Sequence, residues 1–103
     1  MKSIALLLAC ALSGIQADEL IYYSRTGCQG MSAMADLKPN SCGNYYDFKS
    51  FKYYGRGHLK IYQLRKCEET DTIKPLVLNS PIQNHCYSVD SSLSAYRSIY
   101  FKN

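Results

Sequence analysis

Leu20-Ile21-Tyr22-Tyr23-Ser24-Arg25-Thr26-Gly27-Cys28 and Leu59-Lys60-Ile61-Tyr62-Gln63-Leu64-Arg65-Lys66-Cys67 are two versions of one pattern. At an offset of 39 residues a leucine, a tyrosine and a cysteine coincide. Each block opens as a short strand. A second cysteine follows in each half, at Cys42 and Cys86, and each half closes on a similar segment: Phe48-Lys49-Ser50-Phe51-Lys52-Tyr53 and Tyr96-Arg97-Ser98-Ile99-Tyr100-Phe101. Two copies of strand, Cys, Cys, strand predict two similar units packed face to face.

The closing segments alternate as half-buried strands do, with Phe51, Tyr53, Ile99 and Phe101 inward and Ser50, Lys52, Ser98 and Tyr100 outward. Gly55-Arg56-Gly57 is the expected turn between the halves. Ten Tyr and three Phe favour strands, so the expected class is all-β. One helical turn is expected over Met31–Pro39, where Met31, Met34 and Leu37 recur every third position and Pro39 ends the run.

Met1-Lys2-Ser3, the apolar run Ile4–Leu12 and the small-residue exit ending at Ala17 have the layout of an export leader. The run is far shorter than the roughly 20 residues that span a bilayer, and no transmembrane segment is expected. Cleavage after Ala17 would leave a single β domain at residues 18–103, with 11 Lys and Arg against 8 Asp and Glu. Cys10 leaves with the leader. Cys28, Cys42, Cys67 and Cys86 then read as two disulfides of an oxidising, extracellular compartment. A domain this small buries only about 60–65% of its unfolded surface, so such bridges matter to its stability. Their spacing lacks a Cys-x-x-Cys knuckle, which argues against zinc. Of the three pairings open to four cysteines, one bridge per half is expected: Cys28–Cys42 and Cys67–Cys86.

Tyr23-Ser24-Arg25-Thr26-Gly27-Cys28-Gln29-Gly30 resembles the hairpin signature of the βγ-crystallins, with Cys28 in place of the second aromatic. The Ser-containing closing strands are similar to the last strand of that motif. Cysteine-bearing versions occur among killer toxins, plant antimicrobial proteins and fungal effectors. The resemblance implies a two-motif Greek-key β-sandwich, with motif one at about 20–55 and motif two at about 58–102. In the second half Glu69 stands where the signature has Gly, a residue whose side chain resists the backbone conformation of a folded-over hairpin. The resemblance also directs attention to calcium, which such domains hold with paired Asp or Asn before the closing strand. The matching positions here are Tyr45-Tyr46 and Leu93-Ser94, with Asp47 and Asp90 out of register. Calcium wants six or more oxygens, so neither a metal site nor a cofactor is expected.

Catalytic patterns are sparse. His58 and His85 have no partner nearby in sequence, and His58 with Glu68 or Glu69 is the one pairing that suits a ribonuclease. The adjacent carboxylates Asp18-Glu19 and Glu68-Glu69 point to opposite faces if extended. Charge is more informative. Between Phe48 and Cys67 lie Lys49, Lys52, Arg56, Lys60, Arg65 and Lys66 with no acid, and Tyr53, Tyr54 and Tyr62 are interleaved with them. These six cations form the candidate binding face, suited to anionic lipid, acidic polysaccharide or protein. Nucleic acid ranks last for an exported chain of modest net charge; solvated surface is the plain alternative.

The expected function is a secreted, non-enzymatic interaction protein, an effector or antimicrobial toxin acting as a monomer on a host or competitor surface. A small ribonuclease-like hydrolase and a structural or inhibitor module are the alternatives.

Overall fold

The computed structural model describes residues 18–90 and 94–102; the leader expected at residues 1–17 lies outside them. Strands β1 (Glu19–Arg25), β2 (Gln29–Ala35), β4 (Ser50–Tyr54) and β7 (Tyr87–Ser88) form one antiparallel sheet in the order β2-β1-β4-β7. Strands β3 (Ser41–Phe48), β5 (His58–Tyr62), β6 (Leu76–Leu78) and β8 (Tyr96–Lys102) form the other, ordered β3-β8-β5-β6. Apart from a short 3-10 turn at Arg65–Cys67, the regular structure of the described residues is all strand.

Each half lends its third strand to the other half's sheet. β3 pairs with β8, and β7 pairs with β4. The halves are interlaced, and Gly55-Arg56-Gly57 is a bend between β4 and β5.

Period-two alternation builds the core. Leu20, Phe48, Phe51, Tyr53, Leu59, Ile61 and Ile99 are fully buried between the sheets, and Phe101 is nearly so. Burying each such Leu, Ile or Phe contributes about 1.5–3 kcal/mol. Phe48 of one sheet meets Phe51 of the other edge-on, with ring centroids 6.3 Å apart. Tyr96 touches both rings, at 5.5 and 5.9 Å.

The duplication extends to hydrogen bonds. After β1 the chain turns through Gly27 and Cys28, at φ 72° and 57°. The Cys28 N–H donates to Ser50 Oγ at 2.8 Å, and the Ser50 hydroxyl donates to the Arg25 carbonyl. The Gly27 N–H donates to Ser88 Oγ in β7 at 2.9 Å. In the second half Lys66 and Cys67 take φ 62° and 52°. The Cys67 N–H donates to Ser98 Oγ at 2.9 Å, the Ser98 hydroxyl donates to the Leu64 carbonyl, and the Lys66 N–H donates to Asn44 Oδ1 in β3 at 2.7 Å. Ser50 and Ser98 therefore do not face solvent as alternation predicts. They sit on outward positions, but each is covered by the turn it braces and is fully buried.

Two further expectations are corrected. The disulfides are Cys28–Cys86 and Cys42–Cys67, not one per half. Strand exchange is the cause: Cys86 precedes β7, which lies beside β4 under the Cys28 turn, and Cys42 lies on β3, beside β8 under the Cys67 turn. Each bridge pins a turn of one half to the strand received from the other, and with all four sulfurs so bonded the zinc alternative falls. Met31–Pro39 holds no helical turn, because the Cys28 turn sends the chain straight back along β1, where Met34 pairs with Ile21 and Ala33 with Tyr22. The second hairpin is open. Residues 26–28 alone separate β1 from β2, whereas 63–75 separate β5 from the three-residue β6. Glu68, at φ −97°, is already extended in the position matching Gln29.

Candidate ligand-binding groove

Lys60 alternates with the buried Leu59 and Ile61, so it projects from the outer surface of the second sheet. Its neighbours across the ladders are Tyr100 on β8 and Val77 on β6, and His58 lies opposite Lys102. These five side chains and Asn79 line a shallow groove of about 390 Å³. Lys60 and Lys102 stand diagonally on adjacent strands, a spacing of roughly 7–8 Å. Among the described residues neither has an ion-pair partner.

The groove thus carries two ammonium groups and an imidazole around a tyrosine ring, with an amide at one side and no carboxylate in its wall. Lysines supply point charges for phosphate, sulfate or carboxylate. A tyrosine ring on a rigid strand offers a flat apolar surface with a polar tip. On β5, two residues beyond Lys60, Tyr62 is buried. That burial, then the charge of Glu69, and then Tyr100 raise its pKa above the ordinary tyrosine value.

The six cations singled out from sequence do not share a surface. Lys52 projects from the outer side of the first sheet, opposite Ile21 on β1, and so away from Lys60. Arg56 is in the bend between halves, its N–H 3.4 Å from Asp18 Oδ1. The Arg65 guanidinium lies 3.8 Å from the Asp47 carboxylate and donates to the Tyr45 carbonyl at 3.3 Å. Lys66 is in the turn that Asn44 holds, and Lys49 is half-buried at the junction of β3 and β4. The scatter has a simple cause. The charged stretch spans β4 and β5, which belong to different sheets.

Lys102, Tyr100, Val77 and Asn79 were not singled out from sequence. Alternation with Ile99 and Phe101 marks Tyr100 and Lys102 as outward-facing, but only the β8–β5 and β5–β6 pairings bring them beside Lys60.

The other candidates stay apart. His58 opens β5 while Glu68 and Glu69 follow its far end, a separation of about 13 Å along the strand alone. His85 is exposed and packs edge-on against Tyr87, centroids 4.6 Å apart. The Asp47 carboxylate, near the position the resemblance assigns to calcium, accepts from Arg97 Nε at 3.1 Å. Leu93 lies outside the described residues. No helix among the described residues is long and apolar enough to cross a membrane.

Compared with protein-family models, curated proteins and solved structures, the chain matches none.

Proposed function

We propose that the chain is an exported, non-enzymatic binding protein of βγ-crystallin-like two-motif Greek-key design, an effector or antimicrobial toxin directed at an anionic component of another organism's surface. The groove around Lys60, Tyr100 and Lys102 is the observation that carries this reading: two cations with no acidic partner among the described residues flank an aromatic ring on a rigid sheet. The leader-like Met1–Ala17 stretch and the two disulfides support export. The matching serine braces under two cysteine turns, and the reciprocal exchange of third strands, support the two-motif design.

Binding of this kind is electrostatic and salt-sensitive, because the screening length falls from about 30 Å at 0.01 M to about 8 Å at 0.15 M salt. The test measures attachment of the mature protein to phosphatidylserine vesicles and to an immobilised acidic polysaccharide at both salt levels. Lys60→Gln with Lys102→Gln should cut attachment at least tenfold, while Lys52→Gln, on the opposite sheet, should leave it unchanged. Equal losses from Lys52→Gln and from the groove pair would reduce the effect to net charge and overturn the assignment of the groove.

A further inference from the structure

β2 is an outermost strand of its sheet, and no strand lies along its free edge among the described residues. Gln29 to Met34 are all exposed, with Met31 at 84% and Met34 at 61%. Every other strand of five or more residues carries at least one Asp, Glu, Lys or Arg; β2, reading Gln-Gly-Met-Ser-Ala-Met-Ala, carries none. Edge strands of monomeric proteins are commonly blunted by charge, proline, bulges or short length. The other three edges follow that rule. β3 carries Asp47 and an irregularity between Asn44 and Phe48, and β6 and β7 have three and two residues. Among the described edge strands only β2 is long, exposed and uncharged.

We propose that β2 pairs antiparallel with β2 of a second copy about a two-fold axis through Ala33, joining the two β2-β1-β4-β7 sheets into one of eight strands. An uncharged strand suits a second copy as the occupant. An isologous antiparallel contact sets β2 against its own residues, and with no Asp, Glu, Lys or Arg in the strand no like charges are opposed. Shape agrees. An axis at Ala33 uses the extended run Met31–Ala35, beyond the positive φ of Gly30. It sets Met31 opposite Ala35 and Ser32 opposite Met34, so each long side chain faces a small one. The pairing is isologous, and it closes at two copies. An edge contact of this length belongs with interfaces burying under about 1,200 Å², which are reversible and concentration-dependent. The inference stands apart from the groove, which lies on the other sheet.

Sedimentation equilibrium of the mature protein from about 10 µM to about 1 mM, the micromolar-to-millimolar range of weak association, tests it. The mass should rise from one chain to two and stop. Ser32→Lys and Met34→Lys, each at an exposed position, should stay monomeric throughout with unchanged circular dichroism, while Lys52→Gln should dimerise like the parent. Ala33→Cys, the residue on the axis, should form an intermolecular disulfide in the dimer. A parent protein monomeric at the top concentration would give this edge to a foreign strand or to solvent and overturn self-pairing. Dimers that persist in both lysine variants, or association that continues beyond two copies, would overturn it too.

Discussion

Ser50 and Ser98 show what one hydroxyl does when a turn folds over it. Each accepts from a cysteine N–H and donates to a carbonyl three residues earlier. Replacement by Ala would leave two part-buried backbone groups without these partners, at about 1–3 kcal/mol in all. Ser50→Ala and Ser98→Ala are expected to lower stability by that amount in urea denaturation, and Ser24→Ala, at an exposed position, by less. Tyr53 is the other buried hydroxyl of consequence. It donates to Asp18 Oδ2 at 2.7 Å and accepts from the Gly57 N–H at 2.8 Å. Burial first, and then the bond to Asp18, push its pKa well above the usual tyrosine value. Burial likewise raises Tyr45, Tyr62 and Tyr96. Unfolded phenols ionise near pH 10, so above that pH the folded chain holds more protons than the unfolded one, and stability falls as pH rises. The contribution of these tyrosines is complete below about pH 10 and is lost as pH climbs through their folded values. Denaturation midpoints should therefore fall steeply beyond pH 10. Tyr53→Phe should fall less steeply from a lower starting value, with tyrosinate absorbance tracking the transition.

The sequence patterns that could be read locally are those that survive in the elements. The Leu-Tyr-Cys register runs from one strand into the turn that follows it, the alternation of Phe51, Tyr53, Ile99 and Phe101 lies within single strands, and together they mark the repeat and much of the core. What stayed hidden depends on partners distant in sequence. The spacing of Met31, Met34 and Leu37 suits a helix, but pairing with β1 decides in favour of a strand. The third strands β3 and β7 carry no mark of which sheet they join, and the cysteine pairing goes with them. Lys60 was legible as an outward cation; its grouping with Tyr100 and Lys102 required the β5–β8 ladder. At the junction of the halves, Gly57 packs where a side chain cannot. A Cβ there would lie 2.8 Å from the Lys102 carbonyl oxygen and 2.9 Å from Asp18 Oδ2, and against the Phe101 ring. Gly57→Ala should cost about 1–3 kcal/mol through overpacking, read as a lowered thermal midpoint.

Across the whole molecule the bridges close loops of sequence separation 58 and 25. By chain entropy these contribute about 4 and about 3.5 kcal/mol, so replacing the Cys28–Cys86 pair by Ala should destabilise slightly more than replacing Cys42–Cys67. Non-reduced peptide mapping should recover Cys28 joined to Cys86 and Cys42 joined to Cys67. The exchange of third strands also has a consequence for biosynthesis. As the chain is made from its N-terminus, Cys28 and Cys42 are exposed to oxidant before Cys67 and Cys86 exist, and the only bond then open between those two is a non-native one. The native Cys42–Cys67 bridge needs the chain as far as residue 67, and Cys28–Cys86 needs most of the second half, so early oxidation is a trap that thiol–disulfide exchange must undo. Newly made protein under strong oxidant should accumulate the Cys28–Cys42 isomer, and a disulfide isomerase should speed its conversion to the folded form.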